Sequence, residues 1–193
     1  MFFFDPSLYA LLNADSETSA LSIEAARIAS AWLPDLSGVA VALAFLRGSP
    51  ALRRTLIMLL LSMALAWCIT RLIRWGFPSP RPAQLNMGMQ WIQHGGRAGF
   101  PSLHACGAFA LAQAISLGCT RHYRSLVIVT WTAALAIAWS RVHLGVHFPS
   151  DVIAGAAIGC CSAMAVWHLG LSLRSHRALR WRQLRLRFAP RAS

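Results

Sequence analysis

Three short groups of polar residues lie at the ends of apolar runs in this chain and could act together on an anion. They supply three arginines, one serine, two histidines and one carboxylate. The groups are Arg74 with Arg81, Ser102 with His104, and Arg141 with His147 and Asp151. Guanidinium groups pair with phosphate oxygens through parallel hydrogen bonds and keep their charge. These residue types therefore indicate a site for a phosphoryl group.

The pair His147 and Asp151 has two interpretations. An imidazole and a carboxylate at this i, i+4 spacing can meet on one face of a helix. There Asp151 could hold the ring tautomer and leave the other nitrogen of His147 nucleophilic. Alternatively, Ser150 and Asp151 are both favourable at a helix N-terminus and could serve only as caps. The pair alone does not distinguish a catalytic role from a capping role.

Taken together, the three groups predict phosphoryl transfer through a covalent intermediate. His147 would attack phosphorus and form a phosphohistidine, while Asp151 would orient the ring and stabilise its positive charge. His104 would protonate the leaving oxygen and then activate water for the second step. The phosphoryl oxygens would be stabilised by Arg74, Arg81, Ser102 and Arg141.

No cofactor is expected for this chemistry. The three arginines provide the positive charge that Mg²⁺ often supplies, and one nearby carboxylate is too few for a two-metal centre. His104, His147 and Asp151 could in principle bind one zinc ion. The surrounding arginines disfavour a cation there through charge repulsion, so we expect no metal.

The composition places these groups in a membrane protein. Of 193 residues, 56% are hydrophobic and only 12% are charged, against about 25% charged residues in a soluble domain. All 18 basic residues are arginine, and the net charge is +12. Such a charge could indicate nucleic-acid binding. We exclude that partner because the arginines lie between apolar runs and in a tail, where they fix topology and contact anionic lipids.

Long apolar runs predict an all-α, polytopic bundle of five to six transmembrane helices in a single domain, 1–193. The runs cover residues 26–46, 55–73, 104–119, 125–139 and 151–173. Residues 21–33 could form a separate helix, because Pro34 would end it. Gly155 and Gly159 have the spacing of a close helix contact.

The arginines also predict which way the bundle faces. Arg-rich segments at 47–54, at 121–124 and in the tail alternate correctly to share one face, which the positive-inside rule makes cytoplasmic. Residues 1–20 are then an interfacial segment and 174–193 a basic cytoplasmic tail. The three polar groups share the opposite face. We therefore expect a bacterial inner-membrane protein whose site faces the periplasm or the outside.

These groups resemble the motifs of the type-2 phosphatidic acid phosphatase superfamily. The family pattern has lysine, six residues and Arg-Pro, then Pro-Ser-Gly-His, then Ser-Arg, five residues, His, three residues and Asp. The third motif matches fully, from Ser140 to Asp151. In the first, Arg74 replaces the lysine, and in the second, Leu103 replaces the glycine.

The resemblance implies the same roles as the residue chemistry. It makes His147 the nucleophile, Asp151 its partner and His104 the acid. Leu103 still offers a backbone N–H for phosphate, although its side chain could narrow the pocket or touch the lipid, and a backbone that required glycine would be strained. His143 is not a catalytic position of the family, and we interpret it as structural or substrate-adjacent.

The predicted substrate is a membrane lipid phosphate. The small size, the short loops and the run at 139–149 resemble bacterial undecaprenyl diphosphate phosphatases, which implies conversion of the cell-wall lipid carrier from diphosphate to monophosphate. Phosphatidylglycerophosphate, phosphatidic acid and lipid A phosphate remain open, as does a lipid phosphotransferase. The non-enzyme alternative is an inactive membrane scaffold, which would have no use for His104, His147 and Asp151.

Overall fold

Where the structure describes the chain, it forms six α-helices. The computed structural model describes residues 5–93, 96, 98–119 and 124–187, with side chains up to residue 173. In those ranges it contains helices and no strand. The helices are α1 (Asp5–Leu12), α2 (Ala20–Arg47), α3 (Pro50–Gly76), α4 (Leu103–Gly118), α5 (Arg124–His143) and α6 (Pro149–Arg187). A 3₁₀ turn at Pro82–Leu85 lies between α3 and α4.

Most of these helices have the dimensions of membrane spans. By length and composition, α2, α3, α5 and the Pro149–Leu173 part of α6 could each cross a bilayer, whereas α4 is apolar but has only 16 residues. Large apolar side chains such as Trp32, Leu61 and Ile128 are exposed on the outside of the bundle. An apolar exterior suits hydrocarbon rather than water. The predicted all-α membrane bundle is therefore confirmed, while the total of five or six spans stays a prediction.

The expected break at Pro34 is wrong, because α2 continues from Ala20 through Pro34 to Arg47. Proline removes one hydrogen bond from a helix interior. The Ser37 hydroxyl donates to the carbonyl oxygen of Leu33 at 2.7 Å, so the carbonyl immediately before the proline has a hydrogen bond from a side chain. Apolar surroundings make leaving the helix costly, since exposed backbone groups would then lack hydrogen-bond partners.

Helix α4 lies at the centre and contacts α3, α5 and α6. It meets α6 at Gly155 and Gly159, which confirms the close contact predicted from their spacing. A Cβ atom added at Gly159 would lie 2.4 Å from the Cys106 carbonyl oxygen, and one at Gly155 would lie 2.5 Å from that of Ser102. The backbones of α4 and α6 can approach this closely only where side chains are absent.

The arginine-rich start of α3 and the three polar groups lie at opposite ends of the bundle, as the sequence predicted. Arg54 at the start of α3, Gly118 at the end of α4 and Trp167 of α6 line one pocket at one end. The end of α3 and the start of α4 lie at the opposite end, with the three polar groups. Which compartment each end faces stays a prediction. Arg121 and residues 188–193 of the predicted tail lie outside the described residues, and residues 174–187 continue α6 as helix.

The contact between α4 and α6 can be tested by adding one methyl group. We expect Gly159→Ala to lower the thermal unfolding temperature of the detergent-solubilised protein, because overpacking costs about 1–3 kcal/mol. The matched control is Gly38→Ala in α2, where a Cβ atom meets nothing within 4 Å. It should unfold at the wild-type temperature or slightly above it. Identical unfolding of the two variants would contradict the close packing.

Candidate active site

His147 and Asp151 form a buried pair in the turn that enters α6. The His147 Nδ1 atom lies 3.1 Å from Asp151 Oδ2, and both side chains are almost inaccessible. The same carboxylate oxygen accepts a hydrogen bond from the backbone N–H of Phe148 at 3.0 Å. Asp151 therefore does both things that its position allowed, since it caps the first turn of α6 and holds the imidazole.

Arg81 covers the other nitrogen of the ring. Its Nη1 atom lies 3.2 Å from His147 Nε2 and donates to the Val146 carbonyl oxygen at 2.7 Å. A guanidinium group can only donate hydrogen bonds, so Nε2 must present its lone pair and the proton of a neutral ring must sit on Nδ1. The ring thus has the tautomer that leaves Nε2 nucleophilic.

Burial has not removed the charge of Arg81. Burial, and secondarily the nearby charge of Arg74, lower the pKa of Arg81 to about 10, while Asp151 opposes the change. This pKa is still well above neutrality. Arg81 therefore carries its positive charge beside His147 under physiological conditions.

Ser102 joins the second group to the third. It is fully buried, its hydroxyl caps the first turn of α4 by accepting from the N–H of Ala105, and its own N–H donates to the Asp151 carbonyl oxygen at 2.9 Å. Leu103 follows as the first residue of α4. It is absent from the described non-glycine residues with positive φ, so leucine in place of glycine causes no backbone strain here.

Arg141 is the most unusual cation in the site, because only 2% of it is exposed. Its Nη1 atom donates to the Ser30 hydroxyl of α2. Its backbone carbonyl accepts from the N–H groups of Val146 and His147, which ties the cation to the turn holding the ring. The Nε and Nη2 atoms have no hydrogen-bond partner among the described residues. Buried donors without acceptors are costly, so these two point to an anionic ligand.

Arg74 is placed near the other groups but has a different set of partners. Its Nε and Nη2 atoms donate to the Pro101 carbonyl oxygen at 3.0 and 2.7 Å, and Nη2 also reaches that of Gly99 at 3.3 Å. The guanidinium thus supports the loop that leads into Ser102. Its positive charge lies near the site, while its direct contact with phosphate stays a prediction.

His104 lies at one end of a large apolar cavity. The cavity has a volume of about 950 Å³ and is lined by side chains of α2, α3, α4 and α5. Its α4 wall runs from Leu103 and His104 to Ile115, which is about 18 Å of helix. His104 itself is half-buried. The candidate acid is therefore the polar end of a space otherwise suited to hydrocarbon.

Several residues that hold this arrangement were not singled out by the sequence. Gly99 packs against Arg81 and Asp151, where a Cβ atom would lie 3.1 Å from Arg81 Cγ. Gly145 has a φ of +76°, which favours glycine. Ser30 holds Arg141, and nothing in its neighbourhood marks it. Asp5 was detectable as one of six acids in the chain, but only the fold reveals its contacts with Ser150.

His143 has a structural position. Its ring nitrogens lie 2.9 Å from the Leu12 carbonyl oxygen and 2.9 Å from the Ser22 hydroxyl, and its ring stacks on Trp139 with centroids 4.6 Å apart. These contacts favour the structural interpretation over the substrate-adjacent one. Among the described residues, no three His, Cys, Asp or Glu side chains are grouped as metal ligands.

Comparison with known proteins gives consistent results. The sequence model of the PAP2 superfamily matches residues 55–174, which include all three polar groups. "Putative undecaprenyl-diphosphatase YbjG" of Escherichia coli (strain K12) is 31% identical over 164 residues, covering 83% of this chain and 81% of that protein. "Lipid A 4'-phosphatase" of Bacteroides thetaiotaomicron is 40% identical over 67 residues, covering 35% of this chain and 29% of that protein.

A solved structure shares the fold. The crystal structure of Aquifex aeolicus LpxE superposes with a TM-score of 0.69, at 24% identity, over 86% of this chain and 95% of that one. The likeness at this identity concerns the arrangement of the helices.

The free donors of Arg141 can be tested with inorganic phosphate. We expect Arg141→Gln to weaken phosphate binding about 10- to 100-fold, because a charge-assisted hydrogen bond is worth roughly 1.5–3 kcal/mol. Isothermal titration calorimetry in detergent measures the affinity. The control is Arg53→Gln at the other end of α3, where Arg53 donates to the carbonyls of Phe45 and Leu46. Equal phosphate affinities in the two variants would show that Arg141 does not bind the anion.

Proposed function

The chain belongs to the PAP2 superfamily, and on that premise we propose that it hydrolyses undecaprenyl diphosphate to undecaprenyl phosphate without a metal. The single observation that carries the mechanism is the contact chain Asp151–His147–Arg81, with separations of 3.1 and 3.2 Å. It presents an oriented nucleophile and a cation at one nitrogen atom. The proposed reaction has two displacements at phosphorus.

In the first displacement, His147 Nε2 attacks the terminal phosphorus atom. A P–N bond forms, the P–O bond to the lipid phosphate breaks, and His104 donates a proton to the leaving oxygen. Asp151 accepts the Nδ1–H hydrogen bond throughout and stabilises the positive ring. In the second displacement, His104 takes a proton from water as the water attacks phosphorus, the P–N bond breaks, and inorganic phosphate leaves.

The arginines supply the electrostatic part of the mechanism. Arg81 already lies against Nε2, so an attacked phosphoryl group would meet its guanidinium as it meets the ring. Arg141 contributes two buried donors without partners among the described residues, and Arg74 adds charge from beneath the loop. Fixed donors in a water-poor site stabilise developing negative charge more effectively than donors in water. Arginine charge in the place of a metal ion supports the metal-independent form of the proposal.

The apolar cavity supports a lipid rather than a soluble substrate. Leu103 and His104 line the cavity and directly follow Ser102, whose N–H donates to the Asp151 carbonyl oxygen, so the hydrocarbon chain could lie between α2 and α4 while its phosphate reaches His147. A small soluble phosphate ester would leave the apolar cavity of about 950 Å³ unfilled. Hydrocarbon burial favours the long prenyl chain in proportion to the area covered.

The choice of undecaprenyl diphosphate is supported by the Escherichia coli relative, which aligns over most of both chains. A lipid A phosphate is the second candidate, because the Bacteroides thetaiotaomicron relative has the higher identity, though over a shorter segment. The proposal places the protein in a bacterial inner membrane with the site facing the periplasm. The arginine-rich opposite end supports that orientation.

The mechanism predicts loss of activity on removing the nucleophile. We expect wild-type protein in excess EDTA to release phosphate from undecaprenyl diphosphate, and His147→Ala to be slower by about 10³-fold or more. His168→Ala, an exposed histidine on α6, is the control and should keep wild-type activity. A malachite-green assay on detergent-purified proteins with matched thermal stability measures the release.

Each failure of this experiment has a separate meaning. Loss of activity on adding EDTA would overturn metal independence. Release from lipid A or phosphatidic acid, but not from undecaprenyl diphosphate, would overturn the substrate and leave the mechanism. Folded wild-type protein inactive on all three lipids would favour the scaffold alternative.

The cavity predicts an effect confined to lipid substrates. Gly107 lines the cavity one turn after His104, and a Cβ atom there meets only the tip of Met63, at 3.8 Å. We expect Gly107→Leu to raise the KM for undecaprenyl diphosphate about tenfold or more, because a few methylene groups of lost space suffice. Hydrolysis of soluble p-nitrophenyl phosphate should not change.

The matched control for this prediction is Gly76→Leu. It adds the same side chain at the end of α3, where a Cβ atom meets nothing within 4 Å. Its KM for both substrates should equal that of the wild type. A Gly107→Leu protein that loses activity equally on the lipid and on p-nitrophenyl phosphate would contradict a hydrocarbon site in the cavity.

A further inference from the structure

The N-terminal segment 5–14, which we call the N-terminal clamp, packs against the turn between α5 and α6. The Ala14 N–H donates to the His143 carbonyl oxygen at 2.9 Å, and the Tyr9 ring meets Phe148 edge-on at 5.4 Å. Asn13 donates to the carbonyls of His143 and Met89. The clamp therefore contacts both ends of the turn that carries His147.

Asp5 is the charged residue of this clamp, and it is fully buried. Its Oδ1 atom accepts from the backbone N–H of Ser150 at 3.0 Å, and its Oδ2 atom accepts from the Ser150 hydroxyl at 2.6 Å. The residues are 145 positions apart. A carboxylate at the N-terminus of a helix satisfies a free N–H group and interacts favourably with the helix dipole. The first turn of α6 thus has a cap that comes from a distant part of the chain.

The position of Ser150 makes this cap relevant to catalysis. Ser150 immediately precedes Asp151, whose carboxylate contacts His147 and the Phe148 N–H. A rotation of the first turn of α6 would change the distance between that carboxylate and the ring. Two donors on one residue, held by both oxygens of Asp5, fix the turn more firmly than a single bond would.

We propose that Asp5 is a positioning residue for the reaction: through Ser150 it holds the first turn of α6 so that Asp151 meets His147. Asp5 itself does not touch the phosphoryl group. Its loss should lower kcat and leave KM for phosphate esters unchanged. The guanidinium groups proposed to bind phosphate are held by Val146, Pro101 and Ser30, and none of these residues lies in the first turn of α6. The kinetic part of this inference rests on the proposed phosphatase activity.

The test compares variants of Asp5 and Ser150 on p-nitrophenyl phosphate. We expect Asp5→Ala to lower kcat about 10- to 100-fold, because a misplacement of about 1 Å caused by a mutation far from the chemistry can cost about 100-fold. Asp5→Asn keeps an oxygen for the Ser150 N–H and should recover most of kcat. Asp15→Asn, an exposed acid that bonds Glu17 and Thr18, is the control and should match the wild type.

A double-mutant cycle tests the route through Ser150. Once Asp5 is alanine, the Ser150 hydroxyl has lost this acceptor, so the double variant Asp5→Ala, Ser150→Ala should be no slower than Asp5→Ala alone. Additive losses, or a wild-type kcat in Asp5→Ala, would overturn the proposal. If Asp5→Ala does not fold, Ser150→Ala decides: it removes one of the two hydrogen bonds to Asp5, so it should lower kcat, and a wild-type kcat in it also overturns the proposal.

A readout without turnover separates this inference from the proposed function. Imidazole ¹⁵N signals, assigned by their loss in His147→Gln, report which ring nitrogen of His147 carries the proton. We expect the Nδ1–H tautomer in both proteins, because Arg81 still contacts Nε2, and a shifted Nδ1–H signal in Asp5→Ala, because the hydrogen bond from Nδ1 to Asp151 is weakened. That change in a protein with no phosphatase activity would support positioning and overturn the function. Unchanged signals in a protein with phosphatase activity would overturn the positioning role and leave the proposed function standing.

Discussion

The need to satisfy a buried carboxylate and several buried guanidinium groups at one end of an apolar bundle constrains the whole structure. Charges removed from water are tolerated only when they are paired and hydrogen-bonded. Here the turn between α5 and α6 supplies partners to two of these groups. Asp151 bonds the imidazole of His147 and the N–H of Phe148, and Arg81 bonds the Val146 carbonyl. The loops around the site are therefore shaped by where these charges find partners.

The same constraint explains why α4 and α6 must pack so closely. Ser102 caps α4 and donates its N–H to the carbonyl oxygen of Asp151 in α6. That bond requires the two helix N-termini to lie side by side, and the glycines at 155 and 159 allow it. A small change in helix separation would therefore move the backbone of Asp151, and with it the carboxylate. Helix packing and charge satisfaction act on the same few atoms.

The sequence predicted the parts of the site whose chemistry is carried by side-chain type and short spacing. Asp151 and His147 are four positions apart, and Arg74 and Arg81 seven, so local pattern was sufficient to select them. It could not predict contacts made across the whole chain, such as Asp5 with Ser150 or Ser30 with Arg141. The Pro34 prediction failed for a related reason, since local propensity was overridden by apolar surroundings in which an open backbone is costly. That Arg74 supports a loop through carbonyl oxygens was likewise invisible, because loop geometry is not encoded in residue type.

The contact between Arg81 and Nε2 of His147 has a consequence for the resting protein. A lone pair that is already accepting a hydrogen bond is masked, and Nε2 of His147 is less available to stray electrophiles and to soft metal ions. A species that offers Arg81 better acceptors than an imidazole would free this lone pair, and a phosphate dianion has such acceptors. In the proposed mechanism, the ligand that draws the Arg81 guanidinium away from Nε2 is therefore the phosphate that His147 attacks. In such a site, the charge of the ligand would decide access to Nε2 before the shape of the ligand does.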